Sequence, residues 1–377
     1  MKLFIISGAR PQFIKLSPIL QNLNDTNEID YYHLHTGQHY DSYMSEVFFK
    51  ELDLNAPDIN LQVKSTKHGE QTSKMISGIE EILLQEKPDA VLVPGDTNST
   101  LAGGISASKL QIPVIHLESG LRSYDYRMPE EINRRLTDHL SRMLITTSQT
   151  ATTNLLKEGI EESWIFQTGD TMVDAILRNS ERAESISSIL EDINLKRKEY
   201  LLLTLHRQEN VDFKDRLESI LTSLNQIEEK VVFPIHPRTK KMVDKFNFQS
   251  YLNNENIITI EPVGYLDFIK LEKHAQIILT DSGGIQKEAL TLEVPCLTLR
   301  DNTEWIETIE MGVNKLVGAE ENLIVNGIND IISNISKYDK MNWINPYGDG
   351  LSSEKIVEEI LHRYNNGKLS ISRNIML

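Results

Sequence analysis

Acidic and basic residues crowd together in this chain where apolar runs stop. In HLESGLRSYDYRMPEEINRR (116–135), Glu118 closes the run IPVIHLE, and Glu130 and Glu131 follow Pro129 just ahead of Arg134 and Arg135. In VPGDTNST, Asp96 follows another apolar run. Carboxyl groups gathered in a partly desolvated site exchange protons near neutrality, which is what acid/base chemistry requires. Pro-Glu-Glu is also an ordinary acidic helix start favoured by the helix dipole, and that accounts for one of the two glutamates. Glu131 is assigned this role, leaving Asp96, Glu118 and Glu130 as the proton-handling set. Arg122, Arg134 and Arg135 are candidates for orienting these acids or for holding a dimer.

A second group of residues suits an anion. TDSGGIQKEAL places Ser282, Gly283 and Gly284 between an apolar run and a helix-like segment, where free backbone N–H groups and the dipole's positive end can meet a phosphate. The alternative is a tight turn with Ser282 as helix cap. Glu288 follows nearly two turns later and faces either a ribose hydroxyl or solvent. LTLHRQEN delivers His206 and Arg207, and VVFPIHPR delivers His236. Arginine's planar fork fits phosphate or carboxylate, whereas a histidine could simply bond a backbone carbonyl. SGARPQFIK adds Arg10 and Lys15 around a helix start with Pro11 in its first turn, and TGQH carries Gln38 and His39. Neither G-x-x-x-x-G-K-[ST] nor G-x-G-x-x-G occurs in these stretches. Acids in one half and an anion cradle in the other suit a substrate held by phosphate while a neighbouring carbon loses a proton or a bond to oxygen breaks.

Such groups need rigid elements to position them. Short runs rich in Ile, Val and Leu (KLFIIS, YYHLHT, DAVLVPG, IPVIHLE, MLITTS, WIFQTG, YLLLTLH, KVVFPIH, IITIEP, QIILTDS, VPCLTLR) alternate with amphipathic stretches. Strands apolar on both faces, separated by helices, predict parallel α/β sheets with right-handed crossovers. The pattern restarts near residue 199, and TMVDAILRNSERAESISSILEDINLKRK is read as the helix joining two doubly wound domains with a cleft between them. Ligands bind such sheets beyond the carboxyl ends of the strands, where the residues named above fall.

A chain of 377 residues with 40% hydrophobic content can form two cores, and its net charge of −16 argues against nucleic acid and anionic membranes as partners. Cys296 is the single cysteine, and no C-x-x-C or H-E-x-x-H occurs, so no metal site is expected. The start MKLFIISGARPQF is too short in apolar residues for a signal peptide, and no run reaches transmembrane length, so a cytoplasmic protein is expected.

Taken in order, GARPQFIKLSPI, TGQH, GDTNST, HLESGLRS, MPEEINRRLTD, TGDTMVDA, LHRQEN, DSGGIQKEA and LRDNTEWIE resemble the non-hydrolysing UDP-N-acetylglucosamine 2-epimerases over roughly residues 3 to 318. The resemblance implies a GT-B-like pair of Rossmann-like domains: 1–170 carrying the acid/base residues and completed by a terminal helix at 352–377, and 171–351 binding UDP. It implies a homodimer that needs no cofactor, UDP being part of the substrate. The implied reaction inverts C2 of a UDP-2-acetamido sugar by eliminating UDP to a 2-acetamidoglucal and adding it back, in the synthesis of surface polysaccharide or glycan precursors. By the same resemblance Asp96, Glu118, Glu130 and His206 are catalytic, Arg10 and Lys15 lie near the diphosphate, and Ser282 and Gly283 bind phosphate beside Gly284, Arg207 and His236. Glu288 takes the ribose.

The chain departs from the family pattern at Gln12 for glutamate, Lys287 for glutamate, and Trp305 for the arginine of TERPE. Trp305 is therefore a candidate specificity residue, and TEW with MPEEINR resembles the branch acting on UDP-2,3-diacetamido-2,3-dideoxyglucuronate. Gln38 and His39 match a regulatory region of bacterial members. The rival readings are a UDP-dependent GT-B glycosyltransferase, which needs no acid/base cluster at C2, and a hydrolysing epimerase, which releases free sugar.

Overall fold

The computed structural model describes residues 1–37, 51–52, 54–63 and 67–369, and at Arg10 the backbone alone. The chain divides into two compact units, Met1–Ala175 with Pro346–Leu377, and Ile176–Asn345.

The first unit is built on β1 (Lys2–Ser7), β2 (Asp30–His35), β3 (Ile59–Asn60), β4 (Ala90–Pro94), β5 (Val114–Ser119), β6 (Met143–Thr146) and β7 (Ile165–Gln167). They form one sheet in the order β3-β2-β1-β4-β5-β6-β7, and every pairing is parallel. Alternation along β1 feeds two cores. Leu3 and Ile5 pack with Leu16, Ile19 and Leu23 of the helix Arg10–Asn24, and with Ile356 and Ile360 of the helix Ser352–Asn365. Phe4 and Ile6 pack on the other face with Met75, Ile79 and Leu83 of the helix His68–Glu86. A sheet buried on both faces is why these strands read as predominantly apolar runs.

The second unit repeats the plan with β8 (Tyr200–Thr204), β9 (Lys230–Pro234), β10 (Ile257–Ile260), β11 (Ile277–Thr280), β12 (Cys296–Thr298) and β13 (Asn314–Leu316), in the parallel order β10-β9-β8-β11-β12-β13. Leu201 and Leu203 face one core, Tyr200 and Leu202 the other. The joining segment is not a single helix. It runs as Thr171–Ile186 and then Ile189–Asp192, interrupted at Ser187, whose hydroxyl donates to Asp267 and accepts from the backbone of Ile189.

In each unit the strand order reverses beside the first strand. The carboxyl ends of β1 and β4, and of β8 and β11, therefore flank the positions where such sheets bind ligands.

Candidate functional site

In the first unit the two acids closest to that reversal are held differently. Glu118 lies on a bulge, because the pairing of β5 with β6 slips between Leu117 and Ser119, and its backbone is left-handed at φ +66°. A non-glycine residue in that region carries about 1–3 kcal/mol of strain, the kind that surrounding structure tolerates at working sites. Its carboxylate, 7% exposed, pairs with Lys15 Nζ from the first helix. A Cβ placed on Gly95 would lie 3.6 Å from Glu118 Oε2 and 3.7 Å from Lys15 Nζ, so this ion pair rests against the turn after β4. Asp96, one residue on, pairs instead with Arg134. Glu130 stands exposed in the first turn of the helix Pro129–Leu140. The Arg10 side chain, Gln38 and His39 lie outside the described residues.

Glu131 stands in the first turn of the helix Pro129–Leu140 but does more than meet its dipole. It is wholly buried and accepts from Ser123 N (2.9 Å), Ser123 Oγ (3.0 Å), Arg134 Nη1 (3.1 Å) and Arg135 Nε (2.9 Å). Burial pushes its carboxyl up, but the Ser123 donors and the two guanidinium groups outweigh this and hold it below the usual carboxylate range. Arg122 also turns inward, onto Asp138 and Glu158. Of the proton-handling set Arg134 meets Asp96, while Arg122 and Arg135 bind Asp138, Glu158 and Glu131. Gln12 has a structural task that a carboxylate cannot perform. Its Oε1 accepts from Gly8 N and Ala9 N, while its Nε2 donates to Pro94 O (2.7 Å) and Thr100 Oγ1 (3.0 Å), tying the turn after β1 to the end of β4.

In the second unit the parallel register aligns Thr204 of β8 with Thr280 of β11, so the residues that follow meet. His206 Nδ1 lies 3.0 Å from Asp281 Oδ1, and Asp281 also accepts from the backbone N–H of His206 and Arg207. Burial raises the Asp281 carboxyl, but the His206 contact and those two N–H groups bring it below its ordinary value. His206 is therefore not bonded to a backbone carbonyl. A buried carboxylate fixes its Nδ1, which leaves Nε2 as the nitrogen offered outward. The His236 ring lies 5.6 Å from that of His206, and its pKa is lowered by burial first and by His206 second.

Ser282 precedes the helix Gly283–Thr291 but makes no side-chain cap, so capping does not explain its presence. A Cβ on Gly283 would lie 3.6 Å from Trp305 Nε1, 3.8 Å from Arg207 Nη2 and 3.8 Å from Glu304 Oε2, which maps the walls of this helix start. Glu304 is held by a two-pronged pair with Arg300 (2.9 and 3.1 Å). Glu288 does not face solvent. It is buried beside Glu272, whose own carboxyl is pushed well above the carboxylate range by burial and then by Glu288. Two departures from the family pattern meet here, since Lys287 Nζ sits 3.9 Å from the Trp305 ring centroid. A cation–π contact stands where the pattern has glutamate and arginine.

Sequence reasoning gave Asp281 no role beyond its place at a strand end and missed the inward Glu131 and the Lys287–Trp305 contact. Asp281 alone carried a readable signal, as an acid at the strand end beside the one delivering His206. Chemically, the first unit offers a buried carboxylate–ammonium pair that can move a proton. The second offers an oriented imidazole beside a helix start that can hold an anion. Among the described residues, no cluster of three or more His, Cys, Asp or Glu is placed to hold a metal ion, and no helix is long and apolar enough to cross a membrane.

The sequence profile of the family described as UDP-N-acetylglucosamine 2-epimerase matches residues 21–361. The UDP-N-acetylglucosamine 2-epimerase of Methanocaldococcus jannaschii is 51% identical over 365 residues, covering 95% of this chain and 98% of that protein. The UDP-2,3-diacetamido-2,3-dideoxy-D-glucuronate 2-epimerase of Pseudomonas aeruginosa is 42% identical, covering 95% and 99%. The crystal structure of the M. jannaschii UDP-GlcNAc 2-epimerase in complex with UDP-GlcNAc and UDP superimposes with a TM-score of 0.86 at 50% identity, over 96% of this chain and all of that one.

Proposed function

We propose that this chain, which belongs to the UDP-N-acetylglucosamine 2-epimerase family, interconverts UDP-GlcNAc and UDP-ManNAc without releasing free sugar. The observation that carries the reading is the first unit's buried Glu118–Lys15 pair, set on a strained bulge against the Gly95–Asp96 turn. An acid so placed suits proton transfer at carbon, and glycosyl transfer needs no acid/base cluster at C2.

In this reading the first unit handles protons and the second holds UDP. A carboxylate of the Asp96, Glu118 and Glu130 set removes the C2 proton. The C–H electrons form the C1=C2 bond, and the C1–O electrons leave with the β-phosphate. The resulting 2-acetamidoglucal is reprotonated at C2 on the opposite face as UDP adds back to C1. Atoms and electrons balance without hydride transfer, so no cofactor is needed beyond the UDP already in the substrate. Charge builds on the departing diphosphate, where the N–H groups at Gly283 and Gly284, with Arg207, Arg10, Lys15 and the imidazole of His206, stabilise it. His236 supports His206, and Glu288 takes the ribose. The enzyme works as a cytoplasmic homodimer supplying surface-glycan precursors.

UDP-GlcNAc is preferred over the diacetamido uronate because the UDP-GlcNAc enzyme shares more identity with this chain, 51% against 42%. Purified enzyme given each sugar nucleotide separately should convert UDP-GlcNAc to UDP-ManNAc and leave the uronate unchanged. Turnover of the uronate alone would move Trp305 from a structural to a specificity role. Glu118→Gln should abolish turnover while UDP still binds, and near-normal activity would overturn the assignment.

A further inference from the structure

Beneath β4 and β5 a set of charges, only the last of which, Asp96, has a part in the reaction so far, runs back from His116. His116, on β5, is wholly buried, with Nδ1 2.7 Å from Asp138 Oδ1 and Nε2 2.8 Å from the carbonyl oxygen of Gly95. Asp138 Oδ2 lies 2.8 Å from Arg122 Nη1 and also accepts from Gly120 N. The fork of Arg122 then meets Glu158 at 2.8 and 2.6 Å. Glu158 Oε1 accepts from Arg135 Nη1 at 2.9 Å, Arg135 Nε donates to Glu131, Glu131 accepts from Arg134, and Arg134 pairs with Asp96. The signs alternate without a break: His116, Asp138, Arg122, Glu158, Arg135, Glu131, Arg134, Asp96. The two ends are neighbours, because His116 grips the Gly95 carbonyl and Arg134 the Asp96 carboxylate.

The state of His116 follows from its partners. A carbonyl oxygen only accepts, and so does a carboxylate whose other oxygen already receives a guanidinium N–H. Both ring nitrogens face acceptors, so both carry hydrogen. The charged and polar groups around the ring are Asp138 from the helix Pro129–Leu140, the Gly95 carbonyl after β4 and, beyond Asp138, Arg122. Its register partners across the sheet, Val93 and Leu144, are apolar. With an imidazolium the ring has four cations and four anions. With a neutral imidazole one of its two buried acceptors would face an unprotonated nitrogen, an expensive contact away from water.

We propose that His116 is a resident imidazolium that closes this ring of charges, and that it acts as a positioning residue for the Gly95–Asp96 turn. Through that turn it sets Asp96 and the Glu118–Lys15 pair, both of which border Gly95. Gly95 has a left-handed backbone (φ +65°), and its N–H donates to Leu117 O, so the carbonyl held by His116 fixes which way the turn faces. The catalytic half of this proposal rests on the reading that Asp96 and Glu118 handle the C2 proton. The protonation half does not.

The test has two arms. In the full-length enzyme labelled with ¹⁵N-histidine, one ring should show both nitrogens protonated at neutral pH, and its signals should vanish in His116→Gln. If no ring shows both nitrogens protonated at neutral pH, or the one that does survives in His116→Gln, His116 is not an imidazolium and the proposal falls. His116→Phe and His116→Gln should each lower kcat by about 100-fold, the scale of a misplaced reacting group, with KM and UDP binding unchanged. A variant that merely loses thermal stability while keeping kcat overturns the positioning role. Should His116→Phe fail to fold, His116→Gln and the wild-type spectra still decide. Absence of epimerase activity in the wild type would refute the function but leave the spectral result standing.

Discussion

Adjacent glutamates with opposite fates offer a sharp test. Glu131→Gln removes a wholly buried charge that faces Arg134 and Arg135, while the amide oxygen keeps one acceptor for Ser123. Removing one partner of a buried pair costs about 3–5 kcal/mol, and the retained acceptor and the partly exposed Arg135 reduce this to about 2–4 kcal/mol. For a unit of this size that corresponds to a fall of about 5–15 °C in its unfolding temperature. Glu130→Gln, on an exposed first-turn residue, should change stability by less than about 0.5 kcal/mol yet lower turnover by about 100-fold or more. Calorimetry with parallel kinetics reads both. The pH dependence has a definite sign. Glu131 is held below its ordinary value in the folded state, so its contribution is complete above the unfolded glutamate pKa and is lost as pH falls through the folded value. The stability gap between wild type and Glu131→Gln should therefore narrow on acidification. Equal stability of Glu130→Gln and Glu131→Gln at neutral pH would refute the reasoning.

Two further outcomes follow from contacts in each unit. Trp305→Arg alone places two cations together in a buried site, and Lys287→Glu alone sets a buried carboxylate against the face of the Trp305 ring. Each should destabilise the second unit by about 2 kcal/mol or more, and the double variant should recover much of that loss in a double-mutant cycle. Gly120→Ala should destabilise the first unit by about 2–4 kcal/mol in denaturant unfolding, because a Cβ there would fall 2.4 Å from the Ala151 carbonyl oxygen at a backbone φ of +80°.

The strands were legible because both faces of each sheet are covered, which makes β1, β4, β5, β8, β9 and β11 predominantly apolar runs. The edges were not. β3 and β13, two and three residues long, carry too little apolar sequence to register. Strand-end residues were found for the same topological reason, but their partners were not. The helix Pro129–Leu140 shows why: it buries Glu131, Asn133, Arg134, Thr137 and Asp138 and exposes Ile132 and Leu136, the reverse of what amphipathic periodicity leads one to expect. A polar face turned inward can be recognised only once the charges it meets are known, and those come from His116 on β5, Asp96 after β4, Arg122 after β5 and Glu158 after the helix Gln149–Lys157. The Lys287–Trp305 contact was hidden differently, as two departures noted separately that prove to be one contact.

The central claim, elimination and re-addition of UDP through proton transfer at C2, is tested most directly by running the reaction in D2O and following both epimers by NMR. The account predicts deuterium at C2 of UDP-ManNAc and of the recovered UDP-GlcNAc, with the sugar still joined to UDP. Retention of protium at C2 in the product, or free N-acetylmannosamine as the only product, would contradict it.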